Sequence, residues 1–250
     1  MSDDERFAVI LTRPDRYDPM AVAKALAWVR KTPLQDQVSA AKKGWGILAE
    51  HLSAEEARSL EDGLGRAGLE SASLPAASLV ALPEAKPILS VEPGMIDRLA
   101  LICAAAITVT STTTKTVQEG PSPAQKLLST GIFLTTGLPI KIGGKEQTVE
   151  KKQQHSDLVF YLDLIYKDPL RRLRVDAQDF DYACLKERRL YHVMGTFKLL
   201  LGDLAQAAPQ AWRSLGARIL LEGRPVHEMG YESLSDMERE ARWLLTLKTR

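Results

Sequence analysis

Cysteine occurs only twice, as Cys103 and Cys184, each in an apolar or amphipathic stretch where a thiol serves as a small core hydrophobe. With no cysteine pair, and with His51, His155, His192 and His227 scattered outside any HExxH spacing, the chain offers no zinc pattern. No metal and no cofactor are expected. Long apolar runs are missing too. The most apolar segment, 99–109, falls well short of the roughly 20 residues that span a bilayer as a helix, so it reads as a buried strand or core helix. The opening MSDDERFAVI carries acidic residues where a signal peptide needs basic ones, which makes the cytoplasm the expected location. Nor does one sign of charge dominate. Thirty-three Lys plus Arg against 32 Asp plus Glu leave +1, too little for long-range attraction to nucleic acid or an anionic membrane. Such binding would need a local patch.

What is present is an ordinary globular balance, 45% hydrophobic and 26% charged, over 250 residues, enough for one large or two smaller domains. Phe7 to Leu11 reads as a buried strand closed by Arg13-Pro14-Asp15. Asp18 before Pro19 caps a helix whose Val22, Leu26 and Val29 recur at helical spacing. A second helix is expected from Leu34 to about Lys43, and a strand around Trp45, Ile47 and Leu48. Ser53 with Glu56 forms a capping box opening a helix with apolar face Ala57, Leu60, Leu64 and Ala67, ended by Gly68. A strand near Leu69 to Leu74 completes a βααβαβ order.

Three stretches, Phe7-Ala8-Val9-Ile10-Leu11, Ala21-Val22-Ala23-Lys24-Ala25-Leu26, and Leu52-Ser53-Ala54-Glu55-Glu56-Ala57 through Arg66-Ala67-Gly68-Leu69-Glu70, carry a resemblance. Over residues 5–76 the chain resembles the C-terminal domain of the bacterial ribosomal stalk protein L7/L12. The resemblance implies a small ferredoxin-like domain in a bacterial protein. In that family the helix matched by Ala21 to Ala27 presents a basic and apolar surface that recruits translation factors. Lys24 matches a family lysine, whereas Pro19 and Ala27 stand where the family has basic residues and Ala23 where it has a larger aliphatic one. The implied role is therefore docking of a protein partner in general, not recruitment of ribosomal factors.

Pro75, Pro83, Pro87 and Pro93, amid Ala and Ser, mark a linker over 77–94. This divides the chain into a domain at 1–76 and another at 95–250. In the second part β-branched residues from Thr108 to Thr116 favour a strand. Ile132-Phe133-Leu134, Ile140 to Ile142, Leu158 to Tyr166 and Leu173 to Val175 add further strands in a hairpin-rich, mainly antiparallel pattern. Leu190, Val193, Met194, Phe197, Leu200, Leu201, Leu204 and Ala208 trace a helical stripe ended by Pro209. A strand is expected at Ala217 to Leu221, and Ser235 with Glu238 reads as the capping box of a last helix. The fold class expected is α+β: a ferredoxin-like domain followed by an antiparallel sheet closed by C-terminal helices, a topology of the pleckstrin-homology-like kind.

Catalytic motifs are absent. Gly143-Gly144-Lys145 lacks the earlier glycine and following Ser or Thr of a P-loop and reads as a hairpin turn. His155, Ser156 and Asp157 are adjacent in sequence, which on a strand sends neighbours to opposite faces, and no GxSxG elbow is present. Tyr191-His192 is expected to flank the helical stripe. The candidate anion-binding residues are Lys167, Arg171, Arg172 and Arg174, beside Tyr161 and Tyr166, where phosphates or bases could be engaged. Asp163, Asp168, Asp176, Asp179 and Asp181 surround them, so an ion-paired, solvated face is the stronger reading. The leading function is a non-enzymatic interaction or adaptor protein. The alternatives are an enzyme whose site the fold assembles from distant residues, and an anion-binding module for phospholipid or nucleic acid.

Overall fold

In the computed structural model, which describes residues 6–96, 98–119 and 147–250, the apolar run Phe7–Leu11 is strand β1. It is followed by helices α1 (Pro19–Arg30) and α2 (Leu34–Gly44), strand β2 (Ile47–Leu52), helix α3 (Ala54–Arg66) and strand β3 (Ser71–Pro75). The three strands form an antiparallel sheet in the order β2-β1-β3, which is the βααβαβ arrangement expected. Local chemistry sets the helix starts. The Asp18 carboxylate accepts the Met20 N–H at 2.8 Å ahead of Pro19, and the Ser53–Glu56 capping box is closed, with Ser53 N–H donating to Glu56 at 2.8 Å.

A second, five-stranded sheet runs β4-β7-β6-β5-β8, built from β4 (Ala85–Pro87), β5 (Leu99–Glu119), β6 (Gln147–Tyr166), β7 (Arg171–Asp176) and β8 (Trp212–Arg213). It is mixed at its edges: β6 and β7 pair antiparallel from Tyr161↔Asp176 to Tyr166↔Arg171, while the short strands β4 and β8 join β7 and β5 in parallel. Short strands arriving from distant parts of the chain cap both edges, a long-range event with no local signature. Helix α4 (Val193–Ala207) brings Phe197, Leu200, Leu201 and Leu204 into the core of this sheet, with Ile102, Phe160, Leu162 and Leu164.

Three expectations change. Residues Leu215–Leu221 form a short helix, α5, because Ser214 accepts the Ala217 N–H at 3.2 Å as its N-cap; a short apolar run does not by itself tell strand from helix. The last helix, α6 (Leu234–Thr249), starts two residues earlier, where the Asp236 carboxylate accepts the Ser233 N–H at 2.9 Å; Glu238 is engaged elsewhere. Cys103 is buried as expected, but Cys184 is exposed.

The contacts divide the chain into two compact units, Met1–Thr108 with Leu158–Arg250, and Val109–Asp157. Within the first, the stretch 77–94 is folded against the core, since Leu79 is buried and Ala85–Pro87 is β4. The core of the first sheet also extends past residue 76. Met237, Ala241, Trp243, Leu244 and Leu245 of α6 join Val9, Ile10, Val22, Leu26 and Leu64 there. The Trp243 indole donates to the Leu11 carbonyl at 2.8 Å, and Gly46 is needed beneath it: a Cβ on Gly46 would lie 2.2 Å from the Trp243 ring. The second unit contains the outer parts of β5 and β6, where the Thr110 and Ser156 hydroxyls lie 3.4 Å apart. The expected strands at 132–134 and 140–142 and the Gly143-Gly144-Lys145 turn lie outside the described residues.

Candidate functional site

Helix α1 buries Val22, Ala23, Ala25 and Leu26 against the first sheet. Met20, Lys24 and Trp28, spaced one turn apart on the opposite side, are exposed, and Trp28 is 58% accessible. A tryptophan so open to solvent on a well-anchored helix is the uncommon kind of apolar exposure that marks recognition surfaces. The anchoring is close. A Cβ on Gly63 of α3 would meet Val29 at 2.4 Å, so α1 and α3 approach as only glycine allows. Residues 18–44 hold five basic side chains, Lys24, Arg30, Lys31, Lys42 and Lys43, against Asp18 and Asp36. Helix α3 holds Glu55, Glu56, Glu61 and Asp62 against Arg58 and Arg66. The hairpin α1–α2 is thus the basic side of the first sheet's elements. Of the positions compared through the resemblance, Lys24 is exposed, Ala23 is buried, and Pro19 and Ala27 are half-buried.

A second exposed apolar run, Leu190, Tyr191, Val193 and Met194, sits at the start of α4, where the sequence placed part of a buried stripe. His192 is the N-cap there, with Nδ1 accepting the Gly195 N–H at 2.9 Å; the helix therefore begins after Tyr191, and that ring stands fully in solvent.

The four candidate anion-binding residues do not form one cluster. Lys167 is exposed in the β6–β7 turn, and the Arg171 guanidinium lies 4.1 Å from the centre of the Tyr166 ring. Arg172 and Arg174 sit on β7, where Asp163 is the cross-strand partner of Arg174. Arg172 Nε donates to Asp163 at 2.6 Å and Arg174 Nε at 2.7 Å, and both guanidinium groups reach Glu238 of α6, at 2.7 and 2.9 Å. The expected pairing is met, but not its solvation: Asp163 is 0% exposed and Arg172 4%. Burial pushes the Asp163 carboxyl up to about 6 against the pull of Arg174, which leaves it ionised at neutral pH. A surface groove of about 610 Å³ beside them adds Arg239 and Arg242. Arg242 is paired with Glu50 at 2.8 Å, and Arg239 donates to the Lys43 carbonyl at 3.1 Å. Carboxylates therefore occupy donors that an incoming anion would need. Sequence spacing could not reveal Glu238, Glu50 or Arg242, which meet their partners only through the fold.

The other buried carboxylate, Glu240, accepts the Leu215 N–H at 2.7 Å and the Tyr231 hydroxyl, while the Gly216 N–H donates to that hydroxyl at 3.1 Å. It neutralises the start of α5, a structural duty. Burial raises its carboxyl from 4.5 to about 6, with Tyr231 and Leu215 holding it down. A folded-state value above the unfolded one means the native protein binds the proton more tightly. Stability from this group is full below pH 4.5 and is lost as the pH rises to about 6, a difference of about 2 kcal/mol. Urea unfolding of wild type and Glu240→Gln across this window should show a loss larger by about 2 kcal/mol in the wild type, since Asp163, also raised to about 6, contributes equally to both.

His51 takes a positive φ of 60°, His227 lies in the short turn Val226–Met229, and Ser156 and Asp157 are exposed. Among the described residues no three His, Cys, Asp or Glu side chains are grouped to hold a metal ion, and no helix is long and apolar enough to cross a membrane. Comparison with protein-family profiles, curated proteins and solved structures finds no match.

Proposed function

We propose that the chain is an interaction protein that docks an acidic, amphipathic partner segment along α1. The observation that carries this reading is the exposed row Met20, Lys24 and Trp28 on a helix whose other face is fixed in the core. Tryptophan supplies large contact area at small entropic cost, and lysine with the neighbouring basic side chains steers an acidic partner into register. The stalk-protein resemblance supports the same helix as the docking element.

The test places a photo-crosslinking residue at Met20 in the native host and identifies the adduct. Trp28→Ala should weaken the purified partner's binding by about 30-fold or more, the effect of removing a central aromatic anchor. Lys24→Glu should slow association and flatten its salt dependence. Both residues are exposed, so thermal stability should stay near wild type. An adduct that forms equally well in the Trp28→Ala variant would remove this surface from consideration.

A further inference from the structure

A pocket of about 620 Å³ lies beside three aromatic rings, Tyr17, Trp45 and Tyr231, with Leu158 and Met229 adding apolar wall. Trp45 is at its centre chemically. Its ring is 5.6 Å from Tyr17, stacked at 27°, and 4.8 Å from Tyr231. The two phenols have spent their hydroxyls, since Tyr17 donates to the Ala41 carbonyl at 2.7 Å and Tyr231 to Glu240. The indole N–H of Trp45 has not. The residue is 4% exposed, and its Nε1 has no hydrogen-bond partner among the described residues. An orphaned buried donor is costly, and native structures ordinarily leave one only where something else supplies the acceptor. The left-handed backbone of Trp45, with φ 51°, is the C-cap of α2 and fixes where the ring enters the pocket wall.

A smaller cavity of about 150 Å³ shares Tyr17, Leu215 and Arg224 with this pocket, and is lined as well by Arg218. The Nε of Arg218 is likewise buried without a partner. Two unmatched donors thus belong to residues that line neighbouring cavities with common walls. Charge is already matched at the rim, where Arg224 pairs with Glu228 and Glu222. Flat aromatic walls favour a flat guest, and the larger volume is that of ordinary small-molecule sites.

We infer that this pocket binds a planar heterocyclic ligand whose ring nitrogen or carbonyl oxygen accepts the Trp45 indole N–H. Such a site is independent of the docking face on α1, and neither stands or falls with the other.

The experiment follows the indole N–H signals of the full chain by ¹H–¹⁵N NMR, with the Trp45 signal assigned by its disappearance in Trp45→Phe. The probes are matched bicyclic pairs that differ only in an acceptor, such as 2-quinolone and isoquinoline against naphthalene analogues carrying the same solubilising group. Acceptor-bearing members should shift the Trp45 signal and bind about tenfold tighter than their hydrocarbon partners, the effect of one hydrogen bond to a buried donor. Trp45→Phe keeps an aromatic wall and should erase that tenfold preference. The Trp243 indole signal serves as the check that this variant is folded. Leu158→Arg, a substitution of a 39% exposed wall residue, should abolish binding without unfolding the chain. An unmoved Trp45 signal, equal binding of both probe classes, or an acceptor preference that survives Trp45→Phe would overturn the inference.

Discussion

Asp163→Ala should destabilise the protein by about 3–5 kcal/mol, because it leaves buried cations without their principal counter-charge. The Asp163 side chain is 0% exposed and receives both Arg172 and Arg174, so one truncation strips two guanidinium groups whose side chains are only 4% and 17% exposed. Glu238 remains, but its side chain is 37% exposed and is shared by the same two arginines. The damage comes from the orphaned charges more than from attraction lost. Asp163→Ala combined with Arg172→Met should therefore be more stable than Asp163→Ala alone, since a buried unpaired charge is replaced by an apolar stem of similar length. Chemical denaturation of the single and double variants measures both. A double variant that loses the sum of two independent penalties would show that the network is not coupled as described.

Trp243→Ala should cost a similar amount, about 3–5 kcal/mol, the usual penalty for truncating a large buried aromatic. The ring is 1% exposed, lies 5.6 Å from Tyr17, and closes over Gly46. Its loss opens a cavity and leaves the Leu11 carbonyl without the indole donor. Trp243→Phe separates the two contributions, since it retains most of the volume and removes the hydrogen bond; it should recover more than half of the lost stability. Thermal unfolding of the three proteins reads the series. Equal destabilisation by Phe and Ala would assign the effect to the hydrogen bond instead of the packing.

These two residues also show what the sequence could and could not reveal. Signals confined to a few consecutive residues were legible: Asp18 before Pro19, and Ser53 with Glu56, set the helix starts where the structure has them. The alternation of strand and helix through residue 75 was legible for the same reason. The last capping box was misplaced because Ser235 and Glu238 have the right spacing, but Glu238 reaches Arg172 and Arg174 across the fold while Asp236 takes the cap. The strand expected at 217–221 is a helix because Ser214 decides it from outside the apolar run. The arginines of β7 could be seen as a basic cluster, yet their burial depends on the register that sets Asp163 opposite Arg174. Trp28 could have been noticed on α1, since it falls on the same face as Met20 and Lys24; its exposure became meaningful only once the opposite face was known to be the core. Trp45 read only as the start of an apolar strand, whereas it caps α2, and its unpartnered N–H is a property of three-dimensional surroundings.

The contact between Trp243 and Leu11 spans 232 positions of the chain. At the usual synthesis rate of about 5–20 residues per second, Leu11 leaves the ribosome ~10–50 s before its partner is made. In that interval β1, β2 and β3 can pair, but the apolar side that α6 covers has no lid. The nascent chain must therefore carry an unfinished first sheet, its apolar side open to water, until α6 emerges.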